Sequence, residues 1–450
     1  MFLKKYVKNR RKLKILLLVT VIALIVATIV LFNSNNDHDK IIDVGFIDVF
    51  DTKSELHEEH PVIVPEKYNE HKVKTRLIKD KIKYLTQNRE RDSDTDNEEF
   101  TKLDTVTTNV HIFYTAPVAW YKKGKPHKLV KETIDENDTV VIPQKTPKVL
   151  NTAFYPALGL YKPTTGVLRK QFENIKNAGI GVLILTLNPK LSEDLIQLIL
   201  NTAPSFNLTV TFEIGLANNQ SLEFLRSQLE TIRKYSTCEA FYRVLSITKN
   251  SYVPLIYVSN AYKLKEVEKV FCSSHMENAR DVLDALFIGH IRLKNHAETM
   301  RRLCFDGFYS KVPSNGATFA STWKNWSYLK SFAVTYKMLF IPTVGPGFAE
   351  RNKFPRHGDI QRHRSNGRYY GVAWRTAIIN HIGFINIASY NNWQDGSQIE
   401  EVLPRSGFLD YNPGTPRKYL ELTAHWVGNF LKSKKQSQSN CYELLNNTIC

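Results

Sequence analysis

The sequence predicts an α/β protein, a (β/α)8 barrel of the TIM type, lumenal and set behind an N-terminal transmembrane signal anchor and a stalk. Three observations lead there. Eight short runs rich in Val, Ile, Leu and Phe recur along the chain, separated by amphipathic helical stretches. Buried strands alternating with helices imply parallel pairing, and eight such units match a closed barrel. The first run is followed by TAPVAW and not by the glycine-rich turn of a nucleotide-binding sheet, which makes a doubly wound open sheet the alternative rather than the first reading. Finally, an uncharged run of 18 residues, 15–32, stands directly behind a basic tip.

That tip, residues 1–14, holds Lys4, Lys5, Lys8, Arg10, Arg11, Lys12 and Lys14. At about 1.5 Å per residue, the run ILLLVTVIALIVATIVLF spans roughly 27 Å, enough for a thin bilayer. Its basic side should stay cytosolic, giving a single-pass type II protein anchored in the membrane by one helix. A cleavable signal peptide is the rival reading, but the run ends ATIVLFNSNND, without a small-x-small cleavage pair. Without those seven cations the formal charge of +17 falls to +10 for the rest of the chain, so no nucleic-acid partner is expected.

Residues 33–105, with stretches such as RERDSDTDNEEFTKLD, offer few apolar side chains to bury and suit a largely irregular stalk. The barrel is expected over 106–432, and the tail from 433 to 450, with SKKQSQSN, is expected to be flexible. The eight strand candidates are NVHIFY (109–114), IGVLILTL (180–187), LTVTFEIG (208–215), VPLIYV (253–258), DALFIGHI (284–291), DGFYSKV (306–312), MLFIPTV (338–344) and GFINIAS (383–389). Between them, TTGVLRKQFENIKNAG places Leu168, Phe172 and Ile175 on one helical face, with threonines before it and Gly179 as a stop. SLEFLRSQLETIRKY, NWSYLKSFAVTYK and RYYGVAWRTAIINHI carry similar patterns.

Five Asn-x-Ser/Thr triplets, at Asn137, Asn207, Asn219, Asn325 and Asn446, are candidate glycosylation sites in a lumenal chain. The cysteines number five (Cys238, Cys272, Cys304, Cys441 and Cys450), so an oxidising compartment leaves at least one without an intrachain partner. No C-x-x-C pair or H-E-x-x-H motif occurs, and neither metal nor cofactor is expected.

The stretch SYNNWQDGSQIE, 389–400, lies at the end of the eighth strand candidate, where barrel chemistry is built. Together with FYPALGLY (154–161), IGVLIL, FDGFYSKVPSNG (305–316), IPTVGPG (341–347) and RSNGRYY (364–370), it resembles the endo-α-1,2-mannosidases of glycoside hydrolase family 99, over about 106–432. The resemblance implies a Golgi membrane enzyme that needs no metal and cuts glucosylated mannose from immature N-glycans with retention of configuration. Its substrate partner would be an N-glycan or another mannose-containing glycan.

The family motif has the form Asn-Glu-Trp-x-Glu-Gly, its first Glu a base at the sugar 2-hydroxyl and its second an acid, then a base. Glycosidic cleavage generally uses two carboxyls with separated pKa values. Here Asn391 and Trp393 keep the pattern, but Asn392 stands at the base position and Asp395 at the acid/base position. An amide cannot accept that proton. Asp395 keeps the carboxyl on a shorter stem, and misplacement on the order of 1 Å can cost ~100-fold in rate. Other departures are Glu213, Ile214 and Gly215 where the family has His-Ile-Glu, Asn260 at an Asp position, Phe354 at an Arg position and Arg356 at a Trp position.

Glu213 lies two residues before the lost carboxylate, on the same strand face, and is a candidate for rescue. Its other reading is a buried glutamate paired with a neighbouring Lys or Arg. Glu400 and Glu401 read as solvated loop charges. Candidate substrate contacts are Asn391, Trp393, Tyr257, Tyr309, Asn315, Arg356, Arg362 and Tyr369, with Tyr114 and Tyr155 as further stacking candidates; for Trp393 and the tyrosines the alternative is core packing. The basic segment 351–368 reads either as solvated surface or as a binder of anionic sugars through its guanidinium groups. Three functions follow: a hydrolase using Asp395 with Glu213, an inactive glycan-binding relative, or an interaction protein with no sugar site.

Overall fold

The computed structural model describes residue 103 and most of 105–445; residues 1–102, 104, 119, 121–149, 151, 189–190, 217–221, 247–248, 264–270, 273–277, 350–360 and 446–450 lie outside the described residues. The expected anchor at 15–32, most of the stalk, Arg356 and the triplets at Asn137, Asn219 and Asn446 therefore lie outside them too. Among the described residues no helix is long and apolar enough to cross a membrane.

Eight parallel strands form the barrel wall: β1 (Thr107–Tyr114), β2 (Ile180–Leu187), β3 (Thr209–Gly215), β4 (Ser251–Ser259), β5 (Leu286–His290), β6 (Gly307–Tyr309), β7 (Leu339–Ile341, resuming as Thr343–Val344) and β8 (Ile385–Ile387). They pair in sequence order from β1 to β7. Pro342 splits β7 because it has no N–H to give. The first half pairs β6, the second half pairs β8, and β8 pairs β1, which brings the sheet round to closure and rules out the open-sheet alternative. A short strand, Arg243–Ser246, pairs antiparallel with β4 outside this path.

Each sequence run forms its strand because it is apolar on both faces, as a sheet wrapped by helices requires. Alternate residues feed two cores. Phe113, Val182, Ile184, Leu255, Tyr257, Ile288, Tyr309 and Ile341 fill the barrel interior. Val110, Ile112, Leu183, Val210, Phe212, Ile256 and Phe287 face the helices. After β1 comes α1 (Thr165–Asn177), where the Thr164 side chain accepts from the Val167 N–H and caps the first turn. Gly179 then turns into β2 at φ +76°, a conformation that suits glycine.

The later crossovers are α2 (Glu193–Thr202), α3 (Leu222–Arg233), α4 (Ala279–Val282), α5 (Asn295–Arg302), α6 (Trp326–Thr335) and α7 (Arg368–Ile379), with α8 (Lys418–Leu445) last. The segment from 433, expected to be loose, thus begins as a continuation of α8: its helix is nucleated within the packed residues Tyr419, Leu420, Val427 and Phe430 and propagates beyond them. Cys272 and Cys304 form a disulfide, while among the described residues Cys238 has no disulfide partner.

At the bottom of β6 the Asp-Gly of FDGFY is structural. Asp306 accepts from Arg280 at 2.9 Å and from the Phe287 N–H at 2.7 Å. A Cβ at Gly307 would meet the Leu339 carbonyl oxygen at 2.6 Å, so the β6–β7 pairing needs a glycine there.

Candidate active site

The inward-facing residues nearest the C-terminal ends of the strands come from the same alternation that fills the interior. On β5, Leu286 and Ile288 belong to the inner core, so His290 faces inward at the mouth. Glu213 faces inward likewise, since Phe212 and Ile214 on either side of it belong to the outer core. It is fully buried, 0% exposed.

Four donor contacts surround the Glu213 carboxylate. Lys311 Nζ reaches both oxygens at 2.7 Å, Tyr309 donates to Oε1 at 2.5 Å and Thr186 to Oε2 at 2.6 Å. Both sequence readings of Glu213 therefore hold at once: it projects into the mouth, and a lysine pairs with it. Donors occupy its oxygens, so a sugar hydroxyl would have to displace one of them. Lys311 is 36% exposed along its side chain and lies over the Phe113 ring at 5.7 Å. Burial and the nearby Glu213 charge push the Tyr309 hydroxyl well above its ordinary pKa, so it stays a donor.

His290 is 5% exposed, and its Nδ1 has no hydrogen-bond partner. Burial first, then the positive charges of Lys311 and Arg292, hold its pKa well below 6.5, so the ring is neutral.

Over β8, the altered motif forms a closed turn. Asn392 Nδ2 donates to Asp395 Oδ2 at 2.6 Å, and Ser397 gives Oδ1 its N–H at 3.1 Å and its hydroxyl at 2.6 Å. The Asn392 amide is therefore a donor to the Asp395 carboxylate within this turn. Arg364 pins this turn from below. Its Nη2 donates to the Gly396 and Gln398 carbonyls at 2.9 and 2.6 Å, and its guanidinium lies 4.4–4.9 Å from the rings of Phe154, Tyr411 and Tyr419.

Behind the turn lies a second carboxylate. Glu400, expected as a solvated loop charge, is 2% exposed. Tyr161 at 2.6 Å and Trp393 Nε1 at 3.0 Å donate to one of its oxygens, and Gln171 Nε2 at 2.7 Å donates to the other. The helix α1 brings Gln171 there, and the loop before it brings Tyr161. Burial raises the Glu400 pKa to about 7 against the opposing pull of these three donors. Glu401, its neighbour, does sit at the surface, 2.9 Å from Arg417.

The expected substrate contacts divide. Trp393 is core: its indole N–H is spent on Glu400 and its residue is 1% exposed, which leaves no face for a sugar. Asn391 is a clamp on the end of β1, accepting from the Thr115 N–H at 2.7 Å and donating to its carbonyl at 3.1 Å. Tyr257 lies in the interior layer below the mouth, its hydroxyl 2.6 Å from His111 Nδ1 and 2.9 Å from Asn386 Oδ1. Tyr309 holds Glu213.

Asn315, Arg362 and Tyr369 form one loop scaffold. Arg362 donates to the Asn315 carbonyl, and the Tyr369 hydroxyl accepts the Asn315 N–H and donates to the Pro313 carbonyl. Tyr114 bonds to Gln171 in the Glu400 layer, and Tyr155 lies against Phe408 and Arg405. Asn260 donates to the Leu216 carbonyl at 3.0 Å. Of the two described triplets, Asn207 is exposed at φ +57°, and Asn325 donates to the Phe319 carbonyl at 2.9 Å.

Sequence reasoning missed Lys311, His290 and Glu400. Strand alternation is the signal for the first two, because Lys311 follows the inward Tyr309 by two residues and His290 follows Ile288 by two.

Fold and site define a (β/α)8 barrel whose titratable side chains gather over the C-terminal ends of its strands, the layout in which barrel enzymes build their active sites. Residues 112–432 match the model of glycosyl hydrolase family 99, and the chain belongs to that family. It is 34% identical over 305 residues to the glycoprotein endo-alpha-1,2-mannosidase of Mus musculus, a stretch covering 64% of this chain and 66% of that protein. It is 31% identical over 363 residues to the glycoprotein endo-alpha-1,2-mannosidase-like protein of Homo sapiens, covering 74% of this chain and 78% of that protein. Among solved structures, the GH99 endo-alpha-mannosidase from Bacteroides thetaiotaomicron aligns with a TM-score of 0.63 at 29% identity, over 74% of this chain and 100% of that chain.

Proposed function

We propose that this protein is a single-pass type II Golgi membrane member of the family that binds mannose-containing N-glycans at the barrel mouth without appreciable turnover. The observation that carries this reading is the Asn392–Asp395 hydrogen bond. The group at the base position is a donor tied to the only carboxylate left in the motif. Glu213, which could have replaced the base, is capped by Lys311. The printed names of the relatives supply the mannoside preference. The apolar run at 15–32, the Cys272–Cys304 disulfide and the exposed Asn207 support a lumenal setting. Co-localisation of the tagged full chain with Golgi markers, and protection of its C-terminus from protease in sealed vesicles, tests that setting.

A second reading rests on Asp395 itself, which keeps a carboxyl that is only half-buried. In it, Asp395 serves as the acid of a slow hydrolase. The test is incubation of the full chain with a glucosylated high-mannose N-glycan, following both retention and product. Binding with no glucosyl-mannose release is expected. Release that Asp395→Ala abolishes would overturn the binding-only reading in favour of hydrolysis.

A further inference from the structure

We propose that Asn207 carries an N-linked glycan at the end of the barrel away from the mouth, while Asn325, in the other described triplet, stays an unmodified structural amide. This rests on the lumenal setting proposed above and adds to it which triplet is used and where the sugar stands.

Both triplets satisfy the same sequence rule, so their surroundings are what separate them. Asn207 closes the short 3₁₀ turn Ala203–Phe206 just ahead of β3. Its backbone takes the left-handed conformation, φ 57° and ψ 32°, which Asn tolerates better than most residues. The Asn207 backbone N–H reaches the Ala203 and Pro204 carbonyls, so the main chain makes the turn and the residue stays exposed. The two residues behind it are anchored in the wall. Leu208 is 1% exposed, and the Thr209 hydroxyl donates to the Gly181 carbonyl at 3.1 Å. From Thr209 the strand β3 runs up to Glu213 at the mouth, so a sugar on Asn207 is rooted at the opposite end of the wall.

Asn325 differs on each count. It lies on the mouth side, where the loop from β6 enters α6, and it is half-buried. Its Nδ2 donates to the Phe319 carbonyl at 2.9 Å, and beside it the Trp326 indole N–H donates to the Ala320 carbonyl at 3.0 Å. Together they fasten that loop to the start of α6. Trp326 is fully buried, so Asn325 cannot swing outward without pulling its neighbour from the core. A sugar on this nitrogen would wedge into the fastening.

The donor is a lipid-diphosphate-linked oligosaccharide, and the step is a displacement with no redox change. Asn207 Nδ2 forms a bond to C1 of the first sugar, the bond from C1 to the diphosphate oxygen breaks, the lipid diphosphate leaves, and one Nδ2 proton passes to solvent. It occurs on the extending chain, before Leu208 and Thr209 are built into β3, and the fold then keeps the product it can accommodate.

The test expresses the full chain in cells that glycosylate their secreted proteins and purifies the folded protein in detergent. Peptide-N-glycosidase in heavy-oxygen water then turns each modified Asn into labelled Asp, read by mass spectrometry after proteolysis. The label is expected at Asn207 in most copies, with Asn325 unchanged. Asn207→Gln should shift the band by one glycan and leave glycan binding at the mouth intact. Ser327→Ala, which destroys the second triplet at an exposed position and keeps the Asn325 amide, should leave the band where it is. An unlabelled Asn207 with label at any other triplet would overturn the proposal and leave the lumenal reading standing. Label at Asn325 in the folded protein would overturn the structural role of its amide. No label at any of the five triplets would remove the lumenal reading and the proposal with it.

Discussion

Glu213 and Glu400 are both enclosed glutamates near the C-terminal end of the barrel, yet the structure treats them in opposite ways. Glu213 faces inward and is met by an ammonium as well as two hydroxyls. Glu400 sits behind the wall, between the β8 turn and α1, and is met only by neutral donors from Tyr161, Gln171 and Trp393. The difference lies in what surrounds each carboxylate. The Glu213 charge is compensated by a partly exposed lysine at the barrel mouth. A carboxylate that burial holds near neutrality knits together the elements that carry the altered motif.

The sharpest way to break this contrast is to remove the ammonium. Lys311→Met strands the Glu213 carboxylate, and breaking a buried pair in this way typically costs about 3–5 kcal/mol. A loss of that size is expected in urea unfolding, near the low end because Lys311 is 36% exposed. Adding Glu213→Gln should restore most of it. If Lys311→Met alone unfolds like the wild type, Glu213 is not held by that ion pair.

Glu400 makes the next largest prediction, in pH rather than in a contact. Its pKa is raised from 4.5 to about 7 in the fold, so the native state binds more protons than the unfolded chain between those values. Its contribution to stability is therefore complete below about 4.5, declines as pH rises and levels off above about 7. The raised value corresponds to a decline on the order of 3 kcal/mol. Glu400→Gln should flatten that part of the stability–pH curve, as read from thermal unfolding between pH 4.5 and 7.5. A wild-type curve that is flat or rises over this interval would show that the three donors outweigh burial.

The same contrast separates what the sequence reveals from what it hides. IGVLILTL and VPLIYV announce strands because a wall covered on both faces must be apolar on both faces. The helix start at Thr164 and the stop at Gly179 are local chemistry and equally legible. The β8 turn is legible as a polar cluster at a strand end, with Asn392 standing where the resemblance leads one to expect a glutamate. Glu400 was not legible: SQIEEV looks like a solvated loop, and its burial depends on Tyr161 and Gln171, 239 and 229 residues away. Trp393 reads as a sugar platform for the same reason, since nothing local shows that its N–H is claimed by Glu400. Lys311 was partly legible, because the period of two that turns Tyr309 inward also applies to it. Its partner Glu213, 98 residues earlier, was seen, but not the link between them.

The smallest predicted effect comes from the residue beside Glu400. Glu401 carries the same charge one position later, and its pair with Arg417 at 2.9 Å leaves the two side chains 31% and 42% exposed. Water and salt screen such a pair, and Arg417 keeps a second bond to Asn174 at 2.9 Å when Glu401 is gone. Glu401→Gln should therefore change unfolding free energy by about 0.5 kcal/mol or less. Two adjacent glutamates would then differ severalfold in effect for one reason: which side of the backbone faces the core. A Glu401→Gln loss as large as that of Glu400→Gln would mean that the surface pair, and not the enclosed carboxylate, holds the β8 turn against α8.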